Sequence, residues 1–180
     1  DFATFSATGR YSSIGFGSID QSPNERTREE FLQYDLITNI NMGQLTPEKW
    51  GVQLPLSFAN GETLITPEYD PFYEDIRLAD RLGTAERTTQ KDSIRNQAID
   101  YTRRKSVSMI GIRKNSSGEG KPRFYKPENF DFSYAYNELL HRDYEIEKQE
   151  EFNLLLGTNY GYSFSSKPIE PFKKVDFFNR

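Results

Sequence analysis

Apolar and polar side chains alternate with a period of two in several separate stretches of this sequence. In "WGVQLPLSFA", one side collects Trp50, Val52, Leu54, Leu56 and Phe58, while the other side is small or polar. Stretches that begin at Tyr34, Phe130 and Phe152 alternate in the same way, and weaker ones cover residues 2–17 and 106–114. Since successive side chains of a strand point to opposite faces, the pattern predicts about six strands, each with one apolar and one wet face.

The composition agrees with strands of this kind. Hydrophobic residues make up only 35% of the chain, yet 14% is aromatic, with 14 Phe and 11 Tyr. Intrinsic disorder combines few aromatics with a high net charge, whereas the net charge here is −4. With 23 basic and 27 acidic residues, no nucleic-acid partner is indicated.

The alternating stretches suit antiparallel hairpins of a transmembrane outer-membrane β-barrel. Several approach the about 9–11 residues that a tilted strand needs to cross a bilayer, and aromatic residues such as Tyr34, Trp50 and Phe58 mark strand ends. Bacterial single-chain barrels begin at about eight strands, and an open sheet edge is not tolerated in lipid. We therefore expect residues 1–180 to form one part of a larger barrel domain, paired with the rest of the same barrel. The alternative is a soluble all-β binding module that recognises a glycan or a protein partner, and solubility of the isolated chain without detergent distinguishes the two.

The two faces of the alternating stretches predict two sets of site residues. The candidate lumen-facing residues are Asn39, Asn41, Gln53, Ser57, Asn153 and Asn159. The candidate lipid-facing residues are Leu36, Ile40, Val52, Leu54, Leu56, Leu154 and Leu156. Such a wall would contact the lipid bilayer on one side and water on the other.

The links between the stretches differ in length. The segment "LTPEK", from Leu45 to Lys49, reads as a tight turn, whereas residues 18–33, 60–105 and 138–151 read as long, charged links. Because outer-membrane barrels have short periplasmic turns and longer outer loops, the long links are expected to face outward. Within the 60–105 loop we predict an aromatic segment around Tyr69, Phe72 and Tyr73, followed by one polar helix from about Thr88 to Arg103.

The residues of a familiar catalytic site are missing. There is no Cys, and the single histidine, His141, lies among charges in an expected loop. The carboxylates at Glu68, Asp70, Glu74 and Asp75 lack calcium-loop spacing and read as a solvated acidic loop. We expect a protein that is not an enzyme and that needs no cofactor and no metal.

Three segments resemble one known family. They are "GRYSSIGFGSIDQS", "QYDLITNINMGQLTPEKWGVQLPLSF" and "LITPEYDPFYEDIRL", and they are similar to the SprA (Sov) family of Bacteroidota, most clearly between Gly9 and Leu78 and more loosely to about Ser165. The resemblance implies a section of an outer-membrane barrel of about 36 strands, the translocon of the type IX secretion system, with a role in gliding motility. It also implies secreted cargo proteins, a periplasmic plug protein and a PorV-type barrel as partners, and it supplies no catalytic residues.

Overall fold

Six long antiparallel strands form one meandering sheet in the computed structural model, which describes residues 2–17, 20, 27–115 and 123–162. In sheet order these strands are β1 (Ala3–Ser12), β2 (Glu29–Asn41), β4 (Pro55–Pro67), β7 (Asp100–Lys114), β8 (Phe130–Arg142) and β9 (Gln149–Tyr160). A short strand, β3 (Val52–Gln53), also pairs with β7, and a separate hairpin joins β5 (Tyr69–Asp70) to β6 (Tyr73–Arg77). The helices are α1 (Leu78–Thr84) and α2 (Thr88–Ala98). The prediction of antiparallel hairpins with one helical excursion is confirmed, whereas membership of a barrel stays a prediction.

The sheet is open over the described residues. Its strand order begins with β1 and ends with β9, and each of these two strands pairs on one side only. The strands end at two opposite edges of the sheet. We call the edge with Asn41 and Pro55 the turn end, and the edge with Pro67, Asp100 and Arg142 the cap end. Neither described helix is long and apolar enough to span a bilayer.

The central strands are longer than predicted. β4 continues through Pro67 and β7 begins at Asp100, so the predicted link over 60–105 is wrong and the true link is 68–99. Likewise β2 begins at Glu29 and β8 ends at Arg142, which corrects the predicted links over 18–33 and 138–151. The connection between β8 and β9 is therefore short, and link length separates the two ends less clearly than expected.

Two local predictions also need correction. The helix predicted to reach Arg103 ends at Ala98, and the basic residues 103–105 lie on β7, where Arg103 pairs across the ladder with Glu62 and Leu140. The region of Leu45 and Lys49 is not a single tight turn but two 3₁₀ turns, Met42–Leu45 and Glu48–Trp50, followed by β3. Trp50 thus belongs to a turn rather than to a strand. The part of the predicted strand beyond Tyr162 lies outside the described residues.

Nothing packs against the body of the sheet among the described residues. Among the described residues, the buried hydrophobic side chains are Leu78 and Ala98, which are 3% and 4% exposed. Both belong to the helical link at the cap end and not to the sheet. By contrast, Phe58, Phe152 and Leu156 on the sheet are exposed to 42%, 78% and 69%. The sheet is a single layer whose strands are held together by their main-chain ladders.

A β-bulge at Gly111 interrupts the pairing of β7 with β8. The register shifts between Ile110 and Ile112, and Gly111 has a φ of +78°, a main-chain angle that residues with a Cβ rarely adopt. Its N–H donates to Ser133 Oγ at 3.3 Å. Beyond the bulge, Ile112 pairs with Phe132 and Arg113 pairs with Asp131. Apolar and polar side chains of the two strands therefore remain on the same faces on both sides of the bulge.

Replacing Gly111 tests this bulge. We expect Gly111→Ala to destabilise the sheet by about 1–2 kcal/mol, because the new Cβ is strained at positive φ. The control is Gly157→Ala on β9, where a Cβ would meet Ser133 Cβ at an ordinary 3.7 Å. The free energy of unfolding of the assembled protein in detergent is the measurement, and equal losses for the two variants would contradict the assignment.

Candidate functional site: the two faces of the sheet

One face of the sheet carries large apolar side chains across all six long strands, and we call it the apolar face. The register aligns one row that runs through Phe5, Thr38, Phe58, Val107, Tyr136 and Leu154. Side chains two residues along each strand continue this face, including Tyr134 opposite Leu156. The large exposed surface of Leu156 and Phe5 follows from their position on this uncovered layer.

The opposite face is made of small and polar side chains, and we call it the polar face. The adjacent row runs through Thr4, Asn39, Ser57, Ser108, Ala135 and Leu155. Its polar groups bond to one another: Ser57 Oγ donates to Asn39 Oδ1 at 2.7 Å, and Asn39 Nδ2 donates to Thr4 Oγ1 at 3.4 Å. Apolar exceptions on this face include Ile37 and Leu155.

The structure distributes the predicted site residues over these two faces as follows. The polar face holds all of the candidate lumen-facing residues, Asn39, Asn41, Gln53, Ser57, Asn153 and Asn159. The apolar face holds Leu36, Ile40, Val52, Leu56, Leu154 and Leu156. Leu54 lies between β3 and β4, outside either strand. That one face meets a lumen and the other meets lipid stays a prediction.

Two cavities lie over the polar face. One has a volume of about 790 Å³ and is lined by Asn39, Ser57 and Ser108 among others. The other, of about 710 Å³, is lined by side chains that include Ala59, Ser106 and Asn137. A hollow on this side of a single sheet indicates that the sheet curls around its polar face.

The apolar face changes character along the strands. Toward the turn end it is mainly apolar, for example from Phe152 to Tyr160 on β9, and we call this part the apolar band. Thr38 and Thr158 are small polar exceptions within it, and Lys114 lies at the end of β7. Toward the cap end the same face carries Glu62, Arg103, Lys105, Glu138 and Glu150, which we call the charged belt. Within the belt, Arg103 Nη2 donates to Glu138 Oε1 at 3.0 Å. The sequence does not predict the charged belt, because its residues fall in segments that are predicted as loops and as the end of a helix.

Aromatic side chains border the apolar band on both sides. At the turn end, the rings of Phe130 and Tyr160 lie 5.0 Å apart, and Tyr160 Oη donates to the carbonyl of Phe124 at 2.9 Å. At the margin with the charged belt, Tyr34 and Tyr101 both hydrogen-bond Glu62. Aromatic residues with one apolar and one polar part are suited to such boundaries.

A buried ion pair orders the link above the cap end. Asp70 is completely buried, accepts the main-chain N–H groups of Phe72 and Tyr73 at 2.9 and 3.2 Å, and pairs with Arg81 of α1. The guanidinium of Arg81 also lies 4.8 Å from the centre of the Tyr73 ring. The expected aromatic-anchored segment is ordered, but its anchor is this carboxylate, since Phe72 and Tyr73 are about half exposed. The prediction of a solvated acidic loop is therefore wrong for Asp70, which is buried.

The single histidine lies on β8 rather than in a loop as predicted, and it connects β7 with the link that follows β8. His141 Nδ1 lies 2.9 Å from Thr102 Oγ1, and Nε2 lies 3.1 Å from Asp143 Oδ2. Asp143 in turn accepts the N–H groups of Ile146 at 2.6 Å and Glu145 at 2.8 Å, which closes the link 143–148. No group of three or more side chains suited to a metal ion occurs among the described residues.

The Asp143 turn predicts a pH dependence. The N–H of Ile146, followed by those of Glu145 and His141, lowers the pKa of Asp143 below its usual value. Because the pKa in the folded protein is lower than the unfolded value of about 3.9, the carboxylate stabilises the link above that value and loses this effect as the pH falls through the lower, folded pKa. We expect hydrogen exchange of the Glu145 and Ile146 amides, corrected for its intrinsic pH dependence, to show protection that fades in this acid window. Asp143→Asn should abolish the dependence, and a variant that kept it would contradict the assignment.

Comparison with known proteins shows that part of the chain is similar to one protein family. Residues 1–82 match the family SprA_N, described as motility related/secretion protein. The match covers β1 to β6 and the start of α1, and it confirms the resemblance found between Gly9 and Leu78. No curated protein matches the chain. Residues 1–82, which include β1, β2 and β4, are thus similar to the SprA N-terminal family, described as motility related/secretion protein.

Proposed function

We propose that this chain is a wall segment of an outer-membrane protein-conducting translocon, in which the apolar face meets lipid and the polar face lines a wet lumen. In this role it serves type IX secretion and gliding motility, and folded cargo proteins pass through without any chemical step. The observation that carries the proposal is the single-layer sheet, apolar on one face and polar on the other, with nothing packed on its body among the described residues.

The uncovered apolar face is the first support. In water, a soluble sheet hides its apolar face against a second layer, since burying apolar surface yields about 25 cal/mol per Å². Here Phe5, Phe152 and Leu156 are each more than two-thirds exposed. Lipid chains provide an apolar environment for such a face, provided that the main-chain groups are paired by neighbouring strands.

The curvature of the sheet is the second support. Its cavities open on the polar face, so closure of the same curl with further strands puts Asn39, Ser57 and Asn137 inside. Polar side chains offer a hydrated surface with little apolar area, which favours passage over retention of a protein. Charged residues such as Asp35 and Arg104 line the same cavities, and the apolar exceptions on this face include Ile37, Ile110 and Leu155.

The height of the apolar band is the third support. On β9 the apolar band lies between Glu150 and Tyr160. Glu150 belongs to the same row across the sheet as Tyr34, and Tyr160 belongs to the aromatic boundary at the turn end. At about 3.3 Å per residue this stretch rises roughly 33 Å along the strand. With a strand tilt of about 40°, the rise along the membrane normal is about 25 Å, the height of the apolar band of an outer-membrane barrel. Of the charged belt, Glu62, Arg103 and Glu150 lie at the boundary of this stretch, and Lys105 and Glu138 lie one row inside it, opposite each other in the row of Phe152.

The edges and the family suggest the partners. β1 and β9 each leave one main-chain edge without a partner among the described residues, so strands from the rest of the same barrel are expected on both sides. Secreted cargo, a periplasmic plug protein and a PorV-type barrel enter the proposal through the SprA resemblance. No enzymatic activity, cofactor or metal is part of it.

Two neighbouring residues of β9 test the facing assignment. Leu154 lies on the apolar face and Asn153 on the polar face, so the two positions share depth, strand and flanking sequence. In the complete protein, Leu154→Arg should cost about 2–4 kcal/mol of membrane stability, because the charge would face the hydrocarbon. Asn153→Arg should be mild, because its charge would stay in water.

The readout is the amount of assembled, protease-resistant protein in purified outer membranes. Asn153→Lys and Leu154→Lys form a second pair that separates the effect of charge from the shape of arginine. Equal assembly of the apolar-face and polar-face variants, or a larger loss at Asn153, would overturn the proposed role.

A further inference from the structure

The cap end carries a groove that the proposed wall function does not use. It consists of two adjoining cavities of about 630 and 790 Å³ that share Asp143 and Tyr144 in their linings. The hairpin turn around Asp70 and Pro71 borders the first cavity, and Phe72 borders the second together with helix α2. We call this feature the cap groove.

The lining of the cap groove is rich in acidic side chains. It includes Glu29, Glu74, Asp92, Asp143, Glu145 and Glu147. The cations in the same two linings are Arg28, Arg142 and Lys148, and each has a partner of its own. Arg28 lies 5.9 Å from the centre of the Tyr69 ring, Arg142 Nη1 donates to Asn96 Oδ1 at 2.6 Å, and Lys148 pairs with Glu150 at 2.7 Å. The groove has an excess of negative charge because its acidic side chains outnumber these three cations, although Asp92 also pairs with Arg95 at 3.7 Å.

Exposed aromatic rings accompany this charge. Phe72 and Tyr144 are exposed to 51% and 52%, and both line the second cavity. Aromatic rings between carboxylates offer apolar contact, and they also attract cations through their faces. A partner with alternating cationic and apolar side chains satisfies both features.

The walls of the groove are held in place before any partner arrives. Asp70 fixes the turn that presents Phe72, through the N–H groups of Phe72 and Tyr73 and the ion pair with Arg81. On the opposite wall, Asp143 closes the link that presents Tyr144 and Glu145. A preformed surface loses little conformational entropy on binding, which favours recognition of an extended ligand.

We propose that the cap groove docks an extended basic segment of a partner protein, in which lysines or arginines alternate with apolar residues. The carboxylates at Glu145 and Glu147 pair with its cations, while Phe72 and Tyr144 receive its apolar side chains. The first cavity adjoins the cap end of the polar face, since Glu29, Ile65 and Asp100 lie on that face. The residues that contact the segment, Phe72, Tyr144, Glu145 and Glu147, belong to the links above the sheet.

The probe is the fluorescein-labelled peptide Lys-Tyr-Lys-Val-Lys-Tyr-Lys-Val, with a counterpart in which Glu replaces every Lys. Binding to the complete protein in a neutral detergent is followed by fluorescence anisotropy at low and physiological salt. We expect the basic peptide to bind, more weakly at the higher salt, and the acidic peptide not to bind. The double variant Glu145→Lys with Glu147→Lys should lose roughly tenfold or more in affinity.

Two further variants separate the groove from general charge and hydrophobicity. Phe72→Ala should weaken binding several-fold without opening the turn, because Asp70 bonds the main chain at residue 72 and not the ring. The matched controls are Glu86→Lys and Ile76→Ala, both exposed and outside the groove, and they should leave the affinity unchanged. Absence of binding to the parent protein, equal binding of the two peptides, or equal losses in groove and control variants would each refute the proposal.

Discussion

The described structure depends on main-chain pairing in a single layer. Ladders between six long strands hold together a sheet on which no second sheet or helix packs among the described residues. The few buried side chains there, such as Leu78 and Ala98, lie in the link above the sheet. In such a layer the faces cannot gain stability from a common core, so each must be matched to its surroundings. The apolar face, with Phe5 and Leu156 largely exposed, therefore determines where this chain can be stable.

Polarity is organised in two directions on this sheet. Across the layer, the period-2 alternation separates Phe58 and Leu154 from Ser57 and Asn153. Along the strands, the apolar band gives way to the charged belt, where Arg103 and Glu138 pair on the face that is otherwise apolar. A soluble sheet needs only the first kind of order, because water surrounds its whole exposed face. A membrane wall needs both, since the hydrocarbon has a limited height.

The alternation in the sequence was enough to predict the strands and faces within the apolar band, because there one face is apolar and the other is small. It failed in the charged belt. In "NGETLITP" and "DYTRRKSV" both faces carry polar residues, so the predicted β4 ends too early and the predicted β7 begins too late. For the same reason the predicted helix extends to Arg103, which lies on β7. Cross-strand partners such as Glu62 and Arg103 are far apart in sequence, and single-sequence patterns do not reveal them. Asp70 was missed for the same reason, since its partner Arg81 belongs to a different element.

The two ends of the sheet differ in how their links are held. At the turn end, aromatic contacts such as Phe130 with Tyr160 border the apolar band. At the cap end, directional bonds to carboxylates hold the links: Asp70 fixes the hairpin and Asp143 fixes the connection between β8 and β9. Bonds of this kind are shorter and stronger than neutral ones and define one geometry. The proposed wall function needs no ordered links outside the hydrocarbon, whereas the proposed docking of a partner segment at the cap groove does, and the order at the cap end supports that second proposal.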